Sequence, residues 1–180
     1  MILTSELLGQ SHAHLAPFGQ HFIHPTIHHD FQRLCYGAKK TGFDLKIASS
    51  FRDFERQRLI WNNKFLGLRP VLDADEKPID ISTLSKRDLC YAILRFSALP
   101  GASRHHWGTD LDVFDANAVA LDYQLKLEQN EYQEHGPFYE FNCWLDDHLT
   151  DFGFFRPYAR YQGGVAAEPW HISHRSQSLK

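Results

Sequence analysis

The chain is 180 residues long, 43% hydrophobic and 14% aromatic, with a formal net charge of -3. That length suits one domain, 1–180, with a core of useful size and residues 1–25 as an N-terminal extension. The charge balance offers no basic footprint for nucleic acid, and no run of ~18 apolar residues provides a membrane span.

The opening stretch MILTSELLGQSHAHLAPF has neither a basic start nor a long apolar segment, so it does not read as a secretory signal. Cys35, Cys90 and Cys143 are an odd, scattered set. They argue against a disulfide framework and read as small buried hydrophobes in a reducing, cytoplasmic setting. Six of the twelve histidines fall between His12 and His29. No cysteine or carboxylate partners them at ligand spacing, so a polar segment is expected there rather than a metal site.

Residues 26–40 read as a helix, with Ile27, Phe31, Leu34 and Ala38 on one face, Pro25 suited to the first turn and Gly42 as a stop. LKIAS, 45–49, is short, apolar and bounded by turn residues, which suits a buried strand. Asp53 to Lys64 reads as a second helix. Residues 67–83 carry two prolines and four acids and read as a loop or flap. A third helix starts near Ser85, with Asp88 as a capping-box-like partner, and runs to Pro100-Gly101. LDVF, 111–114, reads as a strand. A fourth helix is opened by Pro137 and closed by Gly153. FGFFRPY and EPWHIS read as strands near the end. Helices and short strands in irregular order predict an α+β fold rather than a doubly wound sheet.

Two short segments carry the chemistry. SRHHWGTDLDVFD, 103–115, holds His105, His106, Asp110 and Asp112 around Gly108. A turn through Trp107-Gly108-Thr109 would let a preceding histidine converge with an aspartate on the following strand. On that strand Asp110 and Asp112 share one face and Leu111 and Val113 the other. Spacing leaves open which histidine and which aspartate face the site, and the same residues also suit a polar turn before a half-buried strand. EPWHISH, 168–174, supplies Glu168, His171 and His174. Histidine and carboxylate ligands leave a metal Lewis acidic, and three of them leave one position for water. A carboxylate such as Glu168 can take that water's proton. His174 as a fourth ligand would close the site, so an enzyme requires it to point away. Trp107 and Trp170 flank these positions and read as packing, with a substrate platform open for Trp107.

S-R-H-H-W-G-T-D-L-D fits S-x-H-x-x-G-x-x-x-D, and E-P-W-H fits E-x-W-H. S-S-F-R-D-F-E-R-Q, 49–57, is similar to an S-x-Y-R segment followed by glutamine. In this order the three segments resemble the VanY-like D-alanyl-D-alanine carboxypeptidases. These are zinc peptidases of the superfamily shared with lysostaphin and the hedgehog signalling domain. The resemblance spans residues 49–171. It implies a small antiparallel sheet carrying one zinc ion and packed against several helices, with His105, Asp112 and His171 as ligands and His106 as a neighbour. It implies Glu168 as general base, with Arg52 at the mouth pairing a substrate carboxylate or carbonyl. Ser103 and Gln57 are expected at the substrate, Ser103 alternatively shaping the zinc loop.

Two positions depart from the family pattern. Phe51 replaces a tyrosine, and Asp110 stands where many members carry alanine, which suggests a supporting or substrate-binding carboxylate. The implied partner is a peptidoglycan peptide or muropeptide, cut at a D,D or L,D bond to D-alanine. An endopeptidase, a D-Ala-D-Ala dipeptidase and a non-catalytic zinc module of the same fold are the alternatives. A base retained beside an open position counts against the last of these.

Overall fold

The structure is a computed structural model and describes residues 3–175. A short helix α1 (Thr4–Leu7) and a hairpin of β1 (Ala16–Phe18) and β2 (His21–Ile23) precede the long helix α2 (His28–Lys40). Strand β3 (Leu45–Ser49), helices α3 (Phe54–Phe65) and α4 (Lys86–Leu94) and strand β4 (Asp110–Asp115) follow. Helix α5 (Tyr139–His148), β5 (Phe154–Phe155) and β6 (His171–His174) complete the fold. The main sheet has the order β3-β4-β6-β5 and is antiparallel throughout.

Alternation along β4 and β6 divides the sheet into two faces. Leu111, Val113 and Ile172 join Ile27, Phe31 and Leu34 of the α2 segment and Phe141 and Leu145 of α5 in the main core. Asp110, Asp112, His171 and Ser173 occupy the opposite face. A smaller cluster of Trp61, Val71, Leu89 and Ile93 fastens α3 and α4 together. Tyr132, Phe138 and Trp170 form a third cluster.

The caps behave as their residues dictate. The Asp53 carboxylate accepts the Arg56 N–H at 2.6 Å and opens α3. The Ser85 hydroxyl accepts the Asp88 N–H at 3.2 Å and opens α4. α4 ends at Leu94, short of the Pro100-Gly101 expected from the sequence, because residues 96–98 peel away to line a cleft. Strand pairing is also shorter than the apolar pattern suggested: only Phe154–Phe155 of FGFFRPY and His171–His174 of EPWHISH pair. Residues 67–83 form a flap, pinched by the Leu72–Pro78 bridge and ending in the turn Ile81–Thr83. The three cysteines are free and half-buried rather than fully buried.

Part of the stretch 1–25 is built into the fold. Ile23 is fully buried, and the His24 N–H donates to the Gly108 carbonyl at 2.8 Å. Gly108 therefore has a double requirement. Its φ of 70° is left-handed, and an added Cβ would lie 2.3 Å from Leu15 Cδ2 and 3.1 Å from the His24 nitrogen. Gly108→Ala is expected to cost about 1–3 kcal/mol through strain and overpacking. A thermal melt checks this, with a midpoint several degrees below wild type as the expected result.

Candidate metal centre

Three separate parts of the chain meet on the polar face of the sheet. The short helical turn Arg104–Trp107 presents His105, β4 presents Asp112, and β6 presents His171. Asp112 and His171 are direct cross-strand partners. β3 carries an irregularity between Ile47 and Ser49 that aligns Ser49 with Asp112. It brings Ser50 and Arg52 over the same point.

Hydrogen bonds select one nitrogen of each histidine. His105 Nδ1 donates to the Ser50 carbonyl at 2.8 Å, which leaves Nε2 toward Asp112 Oδ2 at 3.3 Å. His171 Nε2 donates to Asp110 Oδ1 at 3.0 Å, which leaves Nδ1 toward Asp112 Oδ1 at 3.1 Å. In its neutral form, with the proton on Nε2, His171 presents a lone pair to that oxygen, and the short contact becomes a hydrogen bond only when Nδ1 is protonated as well. Asp112 Oδ1 is accordingly a buried acceptor without a hydrogen-bond donor. One donor atom from each of His105, Asp112 and His171 lies within 4.8 Å of the others, and no N-terminal histidine belongs to such a group among the described residues.

Lone pairs gathered this closely repel unless a positive charge sits among them. The electrostatics express the same demand. Burial disfavours charge on His171, but the Asp110 hydrogen bond and the negative charges of Asp110 and Asp112 outweigh it, push its pKa up to about 10 and draw a second proton to Nδ1 wherever no other cation sits beside Asp112. Burial also opposes ionisation of Asp112, yet the adjacent His105 and His171 hold it well below the usual carboxylate range. Burial lowers His105. Two imidazoles and a carboxylate, with their outer atoms already tied, fit a zinc ion with one coordination position left open.

The choices left open by spacing are now made. His106 is fully buried, and its ring bridges two loops: Nδ1 donates to the Arg52 carbonyl at 2.6 Å and Nε2 accepts the Gly101 N–H at 3.1 Å. His174 falls on the other face of β6, with Nε2 3.2 Å from Asp30 Oδ2. Asp110 is fully buried and accepts from His171, from Arg104 Nε at 2.7 Å and from Thr109 Oγ1 at 2.9 Å. Its oxygens are engaged by these three donors, and Asp110, expected at the substrate or in support of the site, lies beneath the cleft rather than in its lining.

The trio forms the floor of an open cleft of about 450 Å³. Glu168, Arg52, Ser103, Trp170 and Tyr158 line it, and the flap supplies Arg69, Leu72 and Glu76. Glu168 Oε2 lies 3.5 Å from His171 Nδ1. Burial and the charge of Asp112 raise its pKa to about 7, against the pull of His171 and Arg52. Arg52 donates to Gln57 Oε1 at 2.9 Å and Ser49 Oγ at 3.2 Å, and stands 3.9 Å from Asp112 Oδ2. Gln57, expected at the substrate, is fully buried and donates to the Ala98 carbonyl at 2.6 Å. It braces Arg52 from behind. Trp107 also stays out of the cleft lining and instead carries the Arg104 guanidinium 4.9 Å above its ring.

Sequence reasoning passed over Arg104, Tyr158 and Lys64. Arg104 sits inside the histidine motif and ties Asp110 to Ser173 Oγ, 2.7 Å from each. The Tyr158 ring is 5.1 Å from His171, and burial keeps its hydroxyl protonated, with the pKa pushed up to about 12. The helical spacing of Gln57 and Lys64, seven apart, was a signal that could have found the lysine.

Two histidines and an aspartate on the floor of a cleft, with a carboxyl group of raised pKa beside them, form a candidate metal centre of the kind a peptidase can use. The family model of the VanY D-alanyl-D-alanine carboxypeptidases matches residues 20–177, and the chain belongs to that family. It is similar to an uncharacterized protein of Haemophilus influenzae, 48% identical over 105 residues that cover 55% of this chain and 72% of that one. Its fold is similar to that of a vancomycin resistance D,D-pentapeptidase VanY variant solved in complex with Zn(II). The TM-score is 0.64 at 22% identity, covering 89% of this chain and 78% of that one. The LdcB LD-carboxypeptidase gives a TM-score of 0.61 at 20% identity, covering 91% of this chain and 64% of that one.

Asp110→Ala removes the acceptor that sets the His171 tautomer, and should weaken Zn(II) binding about 10–100-fold. Competition with a chromophoric chelator measures this; a variant holding Zn(II) as tightly as wild type would contradict the supporting role.

Proposed function

We propose that the protein is a zinc-dependent carboxypeptidase that removes a terminal D-alanine from peptidoglycan-derived peptides. The observation that carries this reading is Glu168: a carboxyl group of raised pKa set 3.5 Å from one of three convergent metal donors, in an open cleft. His105 Nε2, His171 Nδ1 and one Asp112 oxygen would hold the zinc, which supplies Lewis acidity and makes a water nucleophilic near neutral pH.

The chain's own residues do the rest. Glu168 accepts the proton of the attacking water and passes it to the leaving amine nitrogen. Arg52, fixed by Gln57 and Ser49 beside Asp112, donates to the reacting carbonyl oxygen as negative charge develops there. Ser103 and Tyr158 line the same cleft and offer hydroxyl groups to the peptide.

Terminal D-alanine is the preferred leaving group because the chain belongs to the VanY family. Both D,D- and L,D-cutting enzymes stand among its fold neighbours. Digestion of defined muropeptides ending in D-Ala-D-Ala or in a single D-Ala, with products weighed by mass spectrometry, tests the reading. Release of one alanine is expected. Release of the dipeptide or an internal cut would replace it with a dipeptidase or an endopeptidase, and no product from metal-loaded protein would leave a non-catalytic zinc module.

Glu168→Ala should keep its metal and lose turnover by about 10²–10⁴-fold. His171→Ala should lose metal and turnover together, as elemental analysis and assay will show. Since Glu168 works as the carboxylate and its pKa is raised to about 7, kcat/KM should climb with pH through that region and decline below it. Protonation of the ligand imidazoles steepens the decline.

A further inference from the structure

Helix α3 presents Gln57, Trp61 and Lys64 on one side, at positions i, i+4 and i+7. The first two are buried, and Lys64 emerges at the cleft wall beside Phe96, Ser97 and Arg69. Its ammonium donates to Ser97 Oγ at 2.9 Å. Among the described residues no Asp or Glu oxygen lies within ion-pair reach of it. Burial disfavours its charge, and Arg69 and Arg52 add repulsion against the attraction of the more distant Glu168. This half-buried ammonium faces the cleft with a neutral hydroxyl as its hydrogen-bond partner and Glu168 beyond ion-pair reach, and so presents charge to an anionic ligand.

The position of that anion follows from the other groups. Arg52 stands beside Asp112, where the proposed mechanism sets it against the reacting carbonyl. The field of Lys64 reaches Glu168, the group that protonates the leaving amine, and Glu168 feels it in return. In a carboxypeptidase the leaving residue carries both that amine and the free α-carboxylate. We propose that Lys64 Nζ binds the free α-carboxylate of the substrate's C-terminal residue and thereby restricts the enzyme to chain ends. The assignment rests on the carboxypeptidase reading above.

The test compares a diacetylated tripeptide ending in D-alanyl-D-alanine, whose only carboxylate is its C-terminus, with the same peptide as the C-terminal amide. Wild type should prefer the acid. In Lys64→Gln and Lys64→Met the acid-to-amide ratio of kcat/KM should fall at least about tenfold, chiefly through KM for the acid. Lys64→Arg, which keeps the cation, should retain most of the preference. A ratio unchanged in the Gln and Met variants overturns the role of Lys64 while leaving the peptidase intact. A metal-loaded wild type that cleaves neither peptide nor any muropeptide overturns the carboxypeptidase reading, and this assignment with it.

Discussion

The register between β4 and β6 governs this molecule. Pairing Asp112 with His171 sets two donors side by side on one face of the sheet and Leu111 with Ile172 on the other. A slip of β6 by one residue would turn His171 into the apolar core and push Ile172 into the cleft, away from Asp112 and Leu111. Burial of the core face therefore holds the polar face in alignment. The same hydrophobic force that makes the sheet also positions two of the three candidate ligands.

Keeping so many polar groups beneath a cleft is costly unless each is satisfied. The fold meets this with a nested set of hydrogen bonds. Ser50 fixes His105, Asp110 fixes His171, Arg104 neutralises Asp110, and Gln57 and Ser49 hold Arg52. His106 ties the Arg52 loop to Gly101. Among the residues on the floor of the cleft, the buried acceptor left without a donor is Asp112 Oδ1, between the inward nitrogens of His105 and His171.

Around that point the charges are arranged by depth. The carboxylates of Asp110 and Asp112 are buried, Glu168 lines the cleft with its proton held more firmly than an ordinary glutamate's, and the cations Arg52, Lys64 and Arg69 line the walls. Under the proposed reading, these charges suit a ligand that is anionic at one end and carries a polarisable carbonyl near the floor. The flap at 67–83 and the segment at 126–128 form its rim, so the loop with the least regular sequence borders the entrance.

Much of this was legible in the chain itself. Period-two alternation in β4 and the three short motifs in order identified the strand, the family and the residues to examine. They did so because side-chain direction along a strand and the ligand chemistry of histidine and carboxylate are local properties. The sequence had no means of choosing between His105 and His106, since their difference lies in distant carbonyls, Ser50 for one and Arg52 for the other. Nor did it reveal that Gln57 stands behind Arg52, that Asp110 is committed to His171 and Arg104, or that part of the N-terminal stretch packs against Gly108. Local pattern determined the chemical repertoire and the strand faces. Only the tertiary fold decided which atom of each side chain was left free, because hydrogen bonds between segments distant in sequence, 55 residues apart from His105 to Ser50 and 61 from His171 to Asp110, consume the others.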